Sequence, residues 1–395
     1  MRILYHHRTQ GEEPESVHIS AIVTALRRLG HEVDVVGPVS VDRVRNTNNL
    51  SLVGNIKRRM PRLIVELTQI AYNIMSFAQI ARALAHKKYD FVYERYAIFD
   101  VAGLMAARLF KLPIVLEVNT LYAQAWARYY GLAFPRVARQ IERLSVRRAD
   151  AIITVTGVLS ELIQKEGVDG ECVTVAHNAI DPNEFSSEAN ESESLRKELK
   201  LRPVVAGFVG TMNRWQGVAG FADVIERVSS ARSDVGFLFV GDGEGRAGLE
   251  AELHRRGLRD AAVFLGRKPH AEIPRYLSTI DMGLLLDSNA YGSPMKIFEY
   301  WAMSKPVIAP AVRPVHEVVS DGETGFIIAP GDARAMARRI VELAADRVLR
   351  ERMGRAGRAC VIQSYTWEQN ARKILAAVSA SNQRRKNGRH SGAAQ

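Results

Sequence analysis

Short apolar runs alternate with segments of helical period along almost the whole chain. Residues 3–5 form an apolar run of strand length. Residues 17–29 repeat apolar positions at helical spacing until Gly30 stops them, and residues 31–36 return to a strand pattern. The alternation recurs at 91–93, 113–116 and 151–155. Such strand and helix repetition predicts parallel sheet covered on both faces, hence a first doubly wound domain over residues 1–183. The polar stretch from Ser186 to Ser194 has almost nothing to bury and predicts a linker over 184–200. Strand signals restart at 204–210, 235–241, 263–266, 282–286 and 306–309, several ending in glycine. They predict a second doubly wound domain over 201–365. A helix with apolar Ile374, Leu375 and Val378 is expected over 366–380, packing back on the first domain, and a disordered basic tail over 381–395. The expected fold class is α/β, with two Rossmann-like domains.

Composition agrees with two folded domains. A chain of 395 residues exceeds one ordinary core, and 47% hydrophobic with 25% charged residues excludes wholesale disorder. The net charge of +11 is concentrated. Arg43, Arg45, Lys57, Arg58, Arg59 and Arg62 fall in a stretch without an acid, and the tail adds Arg384, Arg385, Lys386 and Arg389. The remainder is nearly balanced, and no aromatic platform accompanies the charge, so nucleic acid is not expected as a partner. Cys172 and Cys360 have neither disulfide nor metal-ligand spacing. With no signal-peptide pattern and no apolar run of membrane-spanning length, a cytoplasmic location is expected. The first strand leads into His6-His7-Arg8-Thr9-Gln10-Gly11, without the Gly-x-Gly-x-x-Gly turn of a dinucleotide dehydrogenase.

The richest chemistry lies from Gly292 to Ala309, which reads as loop, short helix and strand. Ser293 and Pro294 open the helix, where unpaired N–H groups and the positive dipole end favour an anion such as a phosphate. Lys296 adds a positive charge, and Glu299 lies almost one turn further on roughly the same face. A phosphate cradle beside a carboxylate suits a nucleoside diphosphate and its ribose. Gly210-Thr211-Met212-Asn213-Arg214-Trp215-Gln216-Gly217 and Gly241-Asp242-Gly243 follow strands and would bring backbone amides close to a phosphate or sugar, or form tight turns.

As a set these motifs resemble retaining family-4 glycosyltransferases of the GT-B fold, in a subgroup with a Ser-Pro-x-Lys-x-x-Glu donor motif. Phe264-Leu265-Gly266-Arg267, Lys305-Pro306-Val307-Ile308, the run from Asp321 to Phe326 and His177-Asn178-Ala179-Ile180-Asp181 complete the resemblance over about residues 1–380. It implies two domains facing across a cleft, a nucleotide-sugar donor on the second, and a hydroxyl acceptor, saccharide or lipid-linked, on the first. Glu299 would bind the donor ribose, and the amides of Met295 and Lys296 would face the diphosphate. Lys296 and Arg214 would stabilise the leaving group. Gly210, Thr211, Gln216, Gly217, Gly241 and Asp242 would line the donor site, and Gly266, Arg267 and Lys268 would frame the base. The family needs no metal and no further cofactor, and none is expected. On the acceptor side the candidates are Gly11, His18, Glu94 and Asn119.

Tyr291, Gln216 and Asn119 stand where the family often has glutamate, lysine and histidine. They leave open a catalytically silent nucleotide-sugar-binding or scaffold subunit. A sugar-nucleotide epimerase shares the architecture, but its acid and base residues are not evident. Finally, the basic cluster and the apolar stretch from Leu63 to Leu84 suggest peripheral contact with an anionic membrane surface, with packing on the sheet as the alternative.

Overall fold

The structure is a computed structural model that describes residues 1–9, 15–38, 60–123, 131–185 and 189–391. Gly11 and the basic positions from Arg43 to Arg59 lie outside the described residues. Two compact units make up the chain: Met1–His177 with Trp367–Gln395, and Asn178–Thr366.

In the first unit the order is β1 (Arg2–His6), α1 (Glu15–Arg28), β2 (Glu32–Val36), α2 (Arg62–His86), β3 (Phe91–Arg95) and α3 (Ala102–Leu109). There follow β4 (Ile114–Val118), α4 (Pro135–Arg148), β5 (Ala151–Thr154), α5 (Gly157–Lys165) and β6 (Val173–Val175). The strands form one parallel sheet in the order β2-β1-β3-β4-β5-β6. Residues of β3, β4 and β5 are buried throughout, as expected when helices cover both faces of a parallel sheet. The winding reverses between β1 and β3, the place where doubly wound sheets open a crevice at their carboxyl ends. The C-terminal helix Trp367–Ser391 packs on α1 and beside β5 and β6, burying Trp367, Ile374 and Val378.

The second unit runs α6 (Ala189–Glu198), β7 (Val204–Val209), α7 (Phe221–Ala231), β8 (Val235–Val240), α8 (Arg246–Arg255), β9 (Ala262–Phe264) and α9 (Ile273–Ser278). It continues with β10 (Met282–Leu284), α10 (Met295–Ala302), β11 (Val307–Pro310), α11 (Arg313–His316), β12 (Gly325–Ile328), α12 (Ala333–Ala345) and α13 (Arg347–Ser364). Its sheet order is β12-β11-β10-β7-β8-β9, so the winding reverses between β7 and β10. One sheet face buries Phe208, Phe221 and Phe239; the other buries Leu238, Val240, Ile297, Tyr300 and Trp301.

Helix α10 is fixed to this sheet by its own side chains. A Cβ on Gly283 of β10 would lie 2.3 Å from the Tyr300 ring, so glycine there lets the ring lie on the strand. The Tyr300 hydroxyl accepts a hydrogen bond from the Val209 amide at 2.9 Å, and Trp301 Nε1 donates to the Thr324 carbonyl at 2.9 Å. Anything α10 presents to a ligand is thus held by a rigid mount.

Three expectations change. The first unit ends at His177, not at 183: the Asn178 amide donates to Ser293 Oγ, the Ile180 amide to the Tyr365 carbonyl, and Phe185 joins the second core. Within the expected linker, residues 189–198 are the helix α6. Leu195 is buried and Arg196 donates to the Thr279 carbonyl (3.0 Å) and to Asp281 (2.5 Å), anchors that polar composition does not reveal. The tail expected to be disordered from 381 continues the C-terminal helix to Ser391. Ser381 is buried, Arg384 donates to the Glu171 carbonyl, and Arg385 lies 3.7 Å from Asp150. Among the described residues no helix is long and apolar enough to cross a membrane.

Candidate functional site

In the second unit the site grows from the carboxyl end of β7. Gly210 follows that strand with φ +134°, and a Cβ there would meet Lys296 Cε at 2.2 Å. The space belongs to Lys296, whose Nζ stands 4.5 Å from the Phe208 ring centroid. Lys296 is half-buried. Desolvation pushes it down to about 7, against the opposing attraction of Glu299. Glu299, one turn along α10, lies 3.8 Å from His270 Nε2. His270 follows the Gly266-Arg267-Lys268 loop and was not anticipated; its place just past a glycine loop was the available signal.

The approach to α10 is also built. Asn289 Oδ1 accepts from the amides of Tyr291 and Gly292, Ser293 Oγ accepts from the Asn178 amide at 3.1 Å, and Pro294 caps the helix. Of the two amides expected to face an anion, that of Met295 already donates to the Ser293 carbonyl at 3.0 Å.

The glycine loops are laced together by backbone hydrogen bonds. Gly210 donates to the Val240 carbonyl and Gly241 to the Gly266 carbonyl, both at 2.8 Å, and Met212 donates to Asp242 at 3.0 Å. Gly241 has φ +137°, and a Cβ there would fall 1.9 Å from the Gly210 carbonyl oxygen. Gly241→Ala is therefore expected to cost roughly 2–4 kcal/mol of stability. Urea denaturation measures it, and an unchanged midpoint would show that the loops part without cost. Gly217 packs on Asp287. Asp242 accepts from the Gly243 amide and lies 3.9 Å from Arg246. Gln216 is buried, and its Oε1 accepts no hydrogen bond. Thr211 and Arg267 are exposed, and Lys268 lies over the Tyr276 ring. Arg214 is not gathered to Lys296: it is exposed, with its guanidinium 3.9 Å from Glu244.

In the first unit the acceptor-side candidates separate into two clusters. Glu117, a carboxylate in the otherwise apolar β4, receives the Tyr93 hydroxyl at 2.8 Å and Asn119 Nδ2 at 2.5 Å. It also pairs with Arg95 and lies 3.3 Å from His18 Nε2. Burial alone would push its carboxyl up, but His18, Arg95, Asn119 and Tyr93 together hold it below the usual carboxylate range. His18 also sits edge-on to Trp367, 4.7 Å between centroids. His18 and Asn119 thus meet at Glu117, which is not among the acceptor-side candidates read from the sequence.

Glu94 belongs elsewhere. It lies 3.1 Å from His6 Nδ1, and Asp100 lies 3.9 Å from the same nitrogen. Among the described residues, His6, Glu94 and Asp100 bring one donor atom each within 4.8 Å of one another, a spacing a cation could use. Arg8, however, stands 3.7 Å from Asp100. Burial and the Glu94 charge push Asp100 up to about 7. Burial pulls His6 down, yet Asp100 and Glu94 hold it above its ordinary value. The cluster balances its charge with protons and the guanidinium.

Comparison with known proteins matches these two halves to two families. Residues 16–184 match Glycosyltransferase Family 4, and residues 190–360 match Glycosyl transferases group 1. A 2-deoxystreptamine glucosyltransferase of Streptomyces kanamyceticus is 28% identical over 345 residues, which cover 82% of this chain and 88% of that protein. A D-inositol 3-phosphate glycosyltransferase of Xylanimonas cellulosilytica is 25% identical, covering 94% of this chain and 92% of its own length. Among solved structures, Anabaena HepE in complex with UDP superposes with a TM-score of 0.72 at 18% identity, covering 96% of this chain and 100% of that one. Sucrose-phosphate synthase of Thermosynechococcus elongatus superposes at 0.69 and 17% identity over 100% of both chains. Each of this chain's two Rossmann-like domains thus matches a glycosyltransferase family, family 4 on the first and group 1 on the second, and the fold is GT-B.

Proposed function

We propose that this glycosyltransferase takes a sugar from a nucleoside-diphosphate donor bound at α10 and passes it, with retention, to a hydroxyl acceptor in glycan, polysaccharide or glycolipid assembly. The observation that carries the reading is the Lys296 side chain, seated on Gly210 and Phe208 at the winding switch with Glu299 one turn away. A desolvated cation gains most from a ligand that brings negative charge, and a diphosphate does so. Glu299 then takes the ribose hydroxyls, with His270 steadying its carboxylate. The buried Gln216 carboxamide oxygen offers an acceptor to a sugar hydroxyl. In the transfer step the bond between the anomeric carbon and the diphosphate oxygen breaks and one to the acceptor oxygen forms. The hydroxyl proton goes to the departing diphosphate. Lys296 and the free end of α10 neutralise that leaving group without a metal ion or added cofactor. On the first domain the acceptor is met by the polar cluster around Glu117, where Asn119 Oδ1 accepts no hydrogen bond.

Thermal unfolding with UDP, GDP and ADP tests the donor site, since a bound nucleotide stabilises the fold by mass action. UDP is the first probe because HepE holds UDP on the same fold. One nucleotide is expected to raise the Tm, with the shift lost in Glu299→Ala. No shift with any of them, or an undiminished shift in the variant, would sink the assignment. The pairing of Arg214 with Glu244 favours a second reading, a donor-binding subunit without turnover. Sugar release from the bound donor excludes it; stabilisation without release supports it.

A further inference from the structure

Helix α2 carries apolar side chains on two opposite sides. Its buried positions are Glu66, Ser76, Ile80 and Leu84. Five of its large apolar side chains point outward: Ile74 is 77% exposed, and Leu63, Ile64, Leu67 and Met75 are 43–49% exposed. At 100° per residue these five, with exposed Ala71 and Ala78, fall within about 120° of arc, opposite the buried positions. The expected packing on the sheet is also present, since Ile80 and Leu84 join the core of Leu4 and Val92 with Phe77 partly buried against it, so the helix has a second apolar side left outward. Adjacent α3 exposes Met105 and Leu109 as well.

Charge selects what covers this face. From Arg43 to Arg82 the chain carries seven basic residues, and Glu66 is its one acid. Glu66 is buried and taken up by the amides of Ala133 and Phe134 at 2.7 and 2.8 Å. No carboxylate from this stretch offsets the basic residues. A second copy of the chain would set two such positive segments against each other, whereas an anionic surface with an apolar interior satisfies both features at once.

We infer that the outward face of α2 docks on an anionic lipid surface, with Leu63, Ile64, Leu67, Ile74 and Met75 entering the boundary between headgroups and acyl chains. Arg82, exposed on the same arc, and the basic positions that precede the helix in the sequence supply the attraction to lipid phosphates. The helix lies in the interface and does not cross it.

Flotation of the full chain with vesicles tests the inference, using phosphatidylcholine with about a third phosphatidylglycerol against phosphatidylcholine alone. The doubly substituted Leu67→Glu/Ile74→Glu protein is the comparison, with circular dichroism to show that it is folded. Neither residue belongs to the donor or acceptor machinery. The wild type should float with the anionic vesicles and release at about 0.5 M salt, and the variant should bind at least about tenfold more weakly. No flotation, equal binding by the folded variant, equal binding to neutral vesicles, or a solution dimer that the variant abolishes would overturn it.

Discussion

Lys296→Ala is expected to lower kcat/KM for sugar transfer by roughly two to three orders of magnitude while leaving the protein folded. The half-buried side chain lies on Gly210 with its ammonium 4.5 Å from the Phe208 ring centroid, and the partial desolvation strengthens its attraction for a developing diphosphate charge. Deleting a desolvated cation costs little stability. The pH profile adds a check that simple damage would not reproduce. Lys296 sits at about 7 in the free protein, and the charged form is the one that serves the leaving group. The charged fraction falls as pH rises through that value. Since kcat/KM reports the free enzyme, it should decline about tenfold per unit above pH 7 in the wild type and stay flat in Lys296→Ala. A wild-type profile that is level from about pH 6 to 9 would remove the charge of Lys296 from the mechanism.

Glu117→Ala is the substitution expected to harm the fold most, by roughly 3–5 kcal/mol. The loss would strand the buried Arg95 guanidinium and leave Tyr93 and Asn119 without their acceptor. Glu117→Gln keeps an acceptor oxygen and should fall between wild type and alanine. The folded protein holds this carboxyl below its ordinary pKa. Its contribution is therefore present above the usual carboxylate range and lost as pH falls through the depressed value. The gap between wild type and Glu117→Gln should accordingly narrow in acid. Denaturant titrations at neutral and acid pH measure both effects, and a wild-type midpoint for Glu117→Ala would contradict the pairing.

What could be read from the sequence followed a physical divide. Strands such as β1, β7 and β8 were legible because a sheet covered on both faces demands continuous apolar runs. Residues 292–299 were legible because the mount, the cation and the carboxylate are neighbours along one short helix. Residues 189–198 and the last helical turns were misread because their order depends on anchors elsewhere, Asp281 and Thr279 for one, Asp150 and Glu171 for the other. Strand β6 has three half-buried residues and announces little. The Glu117 hub draws on α1, β3 and β4, and the partner of Glu299 comes from the far side of β10 in sequence. A carboxylate inside Ile-Val-Leu-Glu-Val was a visible anomaly, but nothing local says which donors converge on it.

The helix Trp367–Ser391 sets the order in which the two domains are assembled. The first sheet and its covering helices leave the ribosome before the second domain, yet the surface of α1 that faces Trp367, with the flank of β5 and β6, stays uncovered until the helix Trp367–Ser391 is made after it. The amino-terminal domain is therefore begun before the second and finished after it, and the second domain folds as an insertion within it.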